Sequence, residues 1–86
     1  MDRIAARRAM RAEFLRRLYD RVDGSVSEFV NGYELTDGMG MERREAGRLF
    51  AYFEEKGLVR VDDHREGTLR LTADGVDRVE SEAVGE

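Results

Sequence analysis

Residues 41–61, MERREAGRLFAYFEEKGLVRV, decide the fold of this chain. They predict an amphipathic helix, a glycine stop and the start of a β-strand. On a helix that advances about 100° per residue, the apolar side chains form one stripe. This stripe consists of Ala46, Leu49, Phe50 and Phe53. The opposite side carries Arg44, Arg48, Ala51 and Glu55, with Arg43 and Gly47 beside them.

The end of this helix is predicted from one glycine. Gly57 can adopt the left-handed conformation at the C′ position. Leu58 at C″ then folds back onto Phe53 at C3, which is the contact of a Schellman cap. We therefore expect the helix to stop at this glycine.

A β-hairpin and a last helix are predicted after the glycine. Residues 58–61 and 68–72 have the composition of strands, and the second alternates strictly between apolar and polar. The polar segment 62–67 ends in glycine, so it predicts the turn of a hairpin. Thr72 is expected to cap the last helix. The residues of that helix predicted to face inward are Val76 and Val79.

A first helix is predicted over residues 2–22, with Asp2 as its N-cap and Gly24 beyond its end. Its apolar stripe consists of Phe14, Leu15, Leu18 and Val22. Extended backwards, this stripe meets Arg7 and Arg11, and only Ile4 fits. We therefore expect residues 1–12 to form a helical extension that projects beyond the core.

Two interpretations of this extension are open. It is either a solvated helix end or a surface offered to a partner, most simply a second copy of the chain in a homodimer. The residues that would make the partner contact are Ile4, Arg7, Arg8 and Arg11.

The segment between the first helix and residue 41 predicts a connection and a short helix. Residues 24–30 leave room for a very short strand. Asn31 and Glu34 have the spacing of a capping box, in which each side chain bonds the other residue's backbone amide. Glycines 38 and 40 interrupt the helix so begun. The core candidates in this segment are Val26, Phe29, Val30, Leu35, Met39 and Met41.

Length and charge limit the possibilities further. We expect residues 1–86 to form one small domain with a single core, and the acidic tail 81–86 to be frayed. The net charge of −4 hides an asymmetry. Residues 1–22 carry seven arginines against three acidic groups, or +4, and the remainder carries eight basic against sixteen acidic groups, or −8.

No pattern in the sequence predicts an enzyme. Cysteine is absent and His64 is the one histidine, so neither a thiolate site nor metal-ligand spacing is present. We expect no catalytic residues, no metal, no cofactor and no small-molecule ligand. A transmembrane run and a signal-peptide pattern are also absent, which predicts a cytoplasmic protein that does not bind membranes.

The order helix, short strand, helix, helix, strand, turn, strand, helix resembles the winged-helix subclass of helix-turn-helix domains. The segment FVNGYELTDGMGMERREAGRLFAYFEEKGLVRV is similar to their short second helix, glycine turn, third helix and "GLV" start of a hairpin. The segment GTLRLTADGVDRVE resembles their return strand and the "LTxxG" start of the closing helix. The resemblance is most specific over residues 28–80. It implies a mostly α-helical fold with a small antiparallel β-hairpin, the wing.

The resemblance also implies a function in transcription regulation. In that family the third helix lies in the major groove of double-stranded DNA and the wing touches the DNA backbone or minor groove. Arginine suits this role because its planar fork donates two parallel hydrogen bonds to guanine or phosphate. The implied DNA-binding residues are Arg43, Arg44, Gly47, Arg48 and Tyr52 on the helix, and His64 and Arg65 on the wing.

The acidic residues of the turn favour a second hypothesis. Asp62, Asp63 and Glu66 would repel phosphate, although affinity for DNA comes largely from phosphate contacts that release counterions. The alternative function is therefore a winged helix that serves as a protein-interaction module without direct DNA contact.

Overall fold

In the computed structural model, which describes residues 2–84, the chain forms four α-helices and a small antiparallel sheet. The mostly helical class and the antiparallel hairpin predicted from the sequence are confirmed. Within the described residues, no helix is both long and apolar enough to cross a membrane. In chain order the elements are α1 (Arg3–Val22), β1 (Val30–Asn31), α2 (Gly32–Gly38), α3 (Arg43–Glu55), β2 (Val59–Asp63), β3 (Thr68–Leu71) and α4 (Ala73–Val84).

The sheet has three strands in the order β1-β3-β2. Strand β3 lies in the middle, with Leu69 opposite both Val30 of β1 and Val61 of β2. An irregularity between Val61 and Asp63 interrupts the register of the β2–β3 hairpin. The predicted hairpin is therefore extended by a two-residue strand from the connection after α1.

The core forms where α1, α3 and the sheet meet. Phe14 of α1 is fully buried, and its ring centroid lies 5.6 Å from that of Phe50 and 5.8 Å from that of Phe53. Burial of one such side chain stabilises a fold by about 1.5–3 kcal/mol. The apolar stripes predicted for α1 and α3 are both buried, so these two predictions are confirmed.

The end of α3 has the predicted Schellman geometry. Gly57 has a φ of 75°. The amide of Leu58 donates to the carbonyl of Phe53 (2.9 Å), and the amide of Gly57 donates to the carbonyl of Glu54 (3.0 Å). At the other end of α3, the side chain of Glu42 makes no capping hydrogen bond.

The hydroxyl of Thr72, just after β3, bonds both the α3–β2 connection and the first turn of α4. This group donates to the carbonyl of Gly57 (2.6 Å) and accepts from the amide of Gly75 (3.0 Å), so the predicted cap of α4 is confirmed. Helix α4 packs closely on the backbone just before β2. A Cβ atom at Gly75 would therefore collide with the carbonyl of Leu58. Residues 81–84 are helical where a frayed tail was predicted, and 85–86 lie outside the described residues.

The N-termini of α1 and α2 begin at the predicted caps. Asp2 accepts a hydrogen bond from the amide of Ile4, and Asn31 accepts one from the amide of Tyr33, both at 3.0 Å. The prediction that the carboxylate of Glu34 accepts a hydrogen bond from the backbone amide of Asn31 was wrong. The carboxylate of Glu34 accepts instead from Arg21 of α1, at 3.3 Å.

Two core predictions were also wrong. Phe29 is 55% exposed and Val26 is 43% exposed, whereas Val30 is buried. Adjacent residues of an extended chain point to opposite faces, so burial of Val30 turns Phe29 outward. Val26 lies in the irregular segment before β1, and no sheet or helix face carries it into the core. Met41 is buried as predicted, while Leu35 and Met39 are half-buried at the edge of the core.

Candidate functional site

The solvent face of α3 carries two exposed arginines. Arg44 and Arg48 are both exposed, and neither forms an ion pair with any residue in 2–84. They lie four residues apart and are therefore neighbours on one face of the helix. Gly47 beside them leaves the helix backbone open, since among the described residues nothing outside the adjoining helix backbone and the two neighbouring residues lies within 4 Å of where its Cβ would be.

Arg43, the third arginine predicted on this face, lies to one side. Its guanidinium group stacks over the ring of Tyr33 in α2, with 4.2 Å between the guanidinium carbon and the ring centroid. A cation–π contact at an exposed site is worth about 0.5–1 kcal/mol. The structure therefore brings Arg44 and Arg48 together and places Arg43 against α2.

Tyr52 lies on the side of α3 that faces α1, one turn after Arg48 and opposite Arg43. The guanidinium carbon of Arg11 is 4.0 Å from its ring centroid, and its ring meets that of Phe53 edge-on at 5.5 Å. From the sequence, Arg11 was a candidate contact to a partner and Tyr52 was a candidate contact to DNA. In the structure these two side chains contact each other and join α1 to α3.

The β2–β3 turn is held by its own polar groups. The carboxylate of Asp63 accepts hydrogen bonds from the amides of Arg65 (3.0 Å) and Glu66 (3.1 Å). His64 Nε2 lies 2.9 Å from Oε1 of Glu54 at the end of α3. His64, predicted to approach phosphate, is thus hydrogen-bonded to a carboxylate, whereas the side chain of Arg65 is exposed.

The outer face of the hairpin carries an arginine that the sequence analysis did not single out. Arg70 Nε lies 3.9 Å from a carboxylate oxygen of Asp62, and its guanidinium carbon is 5.5 Å from the ring centroid of Phe29. Arg60 lies directly opposite Arg70 on β2. Strict alternation along β3 already placed Arg70 outside the core, but only the observed pairing with β2 brings these groups together.

The arginines of α1 divide into two groups along the helix. In the C-terminal half, Arg17 pairs with Glu13 (2.8 Å), Arg16 with Asp20 (3.3 Å), and Arg21 with a carboxylate of α2. In the N-terminal half, no arginine has a carboxylate within ion-pair distance among residues 2–84. This unpaired group consists of Arg3, Arg7, Arg8 and Arg11.

A shallow groove of about 240 Å³ separates this half of α1 from α3. Its floor is apolar and its rim carries three arginines and one carboxylate. The residues that line it are Arg7, Met10, Arg11, Met41, Glu45, Arg48, Leu49 and Tyr52. This junction was not predicted from the sequence, although Arg7 and Arg11 were expected on the same face of α1 as the buried stripe. That position was the available signal that they lie near a neighbouring helix.

Comparisons of the chain with known protein families, with curated proteins and with solved structures gave no match. Within residues 2–84, no three His, Asp or Glu side chains converge as a metal-binding group.

Proposed function

We propose that this protein is a winged-helix module that binds double-stranded DNA and acts in transcription regulation. In this proposal α2, the turn after it and α3 form the helix-turn-helix, and the β2–β3 hairpin is the wing. The order of the elements and the strand β1 that completes the sheet support this topology. Helix α3 would enter the major groove.

One observation carries the proposal. Arg44 and Arg48 occupy adjacent positions on the solvent face of α3, and neither is engaged by a carboxylate of the described chain. An arginine that is already ion-paired must give up its partner before it binds DNA. These two need not, so their hydrogen-bonding forks remain open to guanine or phosphate. One well-formed bidentate contact to guanine discriminates against a wrong base by about 1–3 kcal/mol.

The neighbours of the two arginines fit this role. A helix inserted into the major groove brings its backbone close to the bases and phosphates. Gly47 presents no side chain at the point of closest approach, and Ala51, one turn further on, presents only a methyl group. Glu55 lies in the last turn of α3, whereas Glu45 lies in the first turn and lines the groove beside Arg48. In this proposal the part of the helix that carries Arg44 and Arg48 contacts DNA.

The proposal is tested by binding to random-sequence duplex DNA over a range of salt concentrations. The variants are Arg44→Ala and Arg48→Ala, and the matched control is Arg78→Ala, which removes an exposed arginine from α4. We expect the wild type to bind at low salt. Loss of each phosphate-contacting arginine should lower the slope of log K against log salt by about 0.9, while the control leaves it unchanged.

Two results would contradict the proposal. One is a wild type that fails to bind duplex DNA at low ionic strength. The other is an equal loss of affinity in Arg78→Ala, because that would reflect total charge and not a site on α3.

The second candidate function is protein interaction, including a homodimer formed through α1. Its specific support is Ile4, which is 66% exposed in the first turn of α1. A wild type that does not bind DNA but has the mass of a dimer in light scattering would favour this candidate.

A further inference from the structure

We infer that the N-terminal half of α1, and not the β2–β3 turn, supplies the phosphate contacts beside α3. The inference rests on the proposed DNA-binding function and adds a second contact element to it. The resemblance to winged helices assigns the backbone contact to the hairpin. The distribution of charge around α3 assigns it to the other side.

Helix α3 has two flanks, which differ in what lies beside them. Glu45, Arg48 and Tyr52 line the groove shared with α1. Glu54 lies on the other flank, where it meets His64 of the turn. A duplex centred on Arg44 would therefore pass between α1 and the turn.

The tip of the turn is acidic. Residues 62–67 contain three carboxylates and one arginine, and the histidine is hydrogen-bonded to Glu54. Two arginines lie behind this tip: Arg70 is 3.9 Å from Asp62, and Arg43 is stacked over Tyr33. The carboxylate of Asp63 is fixed in place because it accepts the amides of two turn residues. It cannot swing away from an approaching phosphate without breaking the turn. Phosphate at this tip would therefore meet net negative charge.

The flank beside α1 is basic. Its groove carries Arg7, Arg11 and Arg48 against the single carboxylate of Glu45. Arg8, one residue after Arg7, is exposed as well. Arg11 is already held over a tyrosine ring, so less conformational freedom is lost when a ligand binds it. This side presents adjacent guanidinium groups to a polyanion.

The contrast within α1 argues against a merely solvated helix end. The three C-terminal arginines are matched by acidic partners, whereas no arginine of the N-terminal half forms an ion pair within residues 2–84. The one carboxylate at this end of α1 belongs to Asp2, which caps the helix. A second copy seated on this half would bring two clusters of like charge together. A polyanion neutralises the cluster, and this also explains how a chain of net charge −4 can bind DNA.

The test compares Arg7→Ala with Arg65→Ala in binding to random-sequence duplex DNA. We expect Arg7→Ala to weaken binding to all sequences alike and to lower the salt slope by about 0.9, because one phosphate contact is lost. We expect Arg65→Ala to leave the slope unchanged. Arg17→Ala is the matched control, since it removes an ion-paired arginine from the same helix.

Folding of the variants is not at risk, because Arg7 is exposed and alanine has the highest helix propensity. Unchanged far-UV circular dichroism verifies this. Wild-type binding that Arg44→Ala weakens but Arg7→Ala does not would overturn the inference and leave the proposed function standing. A larger effect of Arg65→Ala than of Arg7→Ala would overturn it as well. A wild type that does not bind overturns both.

Discussion

At the scale of single residues, the arginines differ by what each guanidinium group contacts. Arg17 is neutralised by a carboxylate one turn away. Arg11 and Arg43 stack on tyrosine rings, which fixes their position but leaves their charge available. Arg44 and Arg48 have neither kind of partner within the described chain. The stacked and the unpartnered arginines can contribute a full charge to a polyanion, whereas the ion-paired arginine cannot.

Two helical glycines provide a matched pair of substitutions. Gly75→Ala should destabilise the protein by about 1–3 kcal/mol, because the added Cβ collides with the carbonyl of Leu58 and a packed interior must shift to admit it. Gly47→Ala should stabilise it by about 0.5–1 kcal/mol, because the site is open and alanine restricts the unfolded chain. Urea unfolding measures both. Changes of the same sign would contradict the packing of α4 on β2.

The same scale shows why some residues could be assigned from sequence and others not. Phe14 and Phe53 belong to helical stripes, where spacing alone identifies the buried side. Phe29 is as apolar as either, but its orientation depends on which neighbour enters the sheet. That neighbour, Val30, is paired with a strand far along the chain. Local pattern therefore predicted the helix faces and failed at the connection.

At the scale of elements, the end of a helix was predictable where the contacts that fix it lie close together in the sequence. The cap of α3 needs only Phe53, Gly57 and Leu58, which lie within six residues, and its hydrogen bonds are those of the predicted motif. The pairing of Glu34 with Arg21 links two helices. The spacing of Asn31 and Glu34 did not indicate that Arg21 would bind the carboxylate of Glu34 instead. Contacts between elements were thus the part that sequence reasoning could not supply.

Helices α1 and α4 are joined by a hydrogen bond whose contribution depends on pH. The hydroxyl of Tyr19 donates to a carboxylate oxygen of Glu80 at 2.7 Å. This bond, followed by partial burial and the charge of Glu80, raises the pKa of Tyr19 above its ordinary value of 10.0. The folded state therefore keeps the proton to higher pH than the unfolded state does. The stabilisation is complete below about pH 10 and is lost as pH rises through the folded-state pKa.

Tyr19→Phe tests this link. The wild type should have the larger free energy of unfolding at about pH 8, and the difference should shrink as pH rises above about 10. The remaining two tyrosines are present in both proteins, so their titration cancels in the comparison. Chemical unfolding at several pH values measures the difference. A difference that stays constant across this range would contradict a link between the ionisation of Tyr19 and folding.

At the scale of the whole molecule, the uneven distribution of charge along the sequence becomes an uneven distribution of charge over the surface. Residues 1–22 carry a charge of +4, and the remainder carries −8. Helix α1 has 20 residues and is about 30 Å long, close to the largest dimension of the molecule, 33 Å. Its unpaired half lies beside the basic half of α3. The chain is acidic overall, yet the candidate site is basic.

The sequence revealed this charge asymmetry but not its consequence. Arg7 and Arg11 were recognised as out of place on an apolar stripe, and a partner surface was one of two open interpretations. Which element they would lie beside depends on how α1 crosses α3. That crossing is set by burial of Phe14 against Phe50 and Phe53, a tertiary contact. Arg7, Arg11 and Arg48 could therefore be proposed from the sequence as candidate contact residues, whereas their position around one groove could not.

The most direct test of this account is a map of backbone amide shifts, measured by NMR, on titration with a short duplex DNA. The largest changes should fall in the N-terminal halves of α3 and α1, around residues 43–48 and 7–11. Residues 62–67 of the acidic turn should change little. Changes confined to that turn or to α4, or no changes at low salt, would contradict the account.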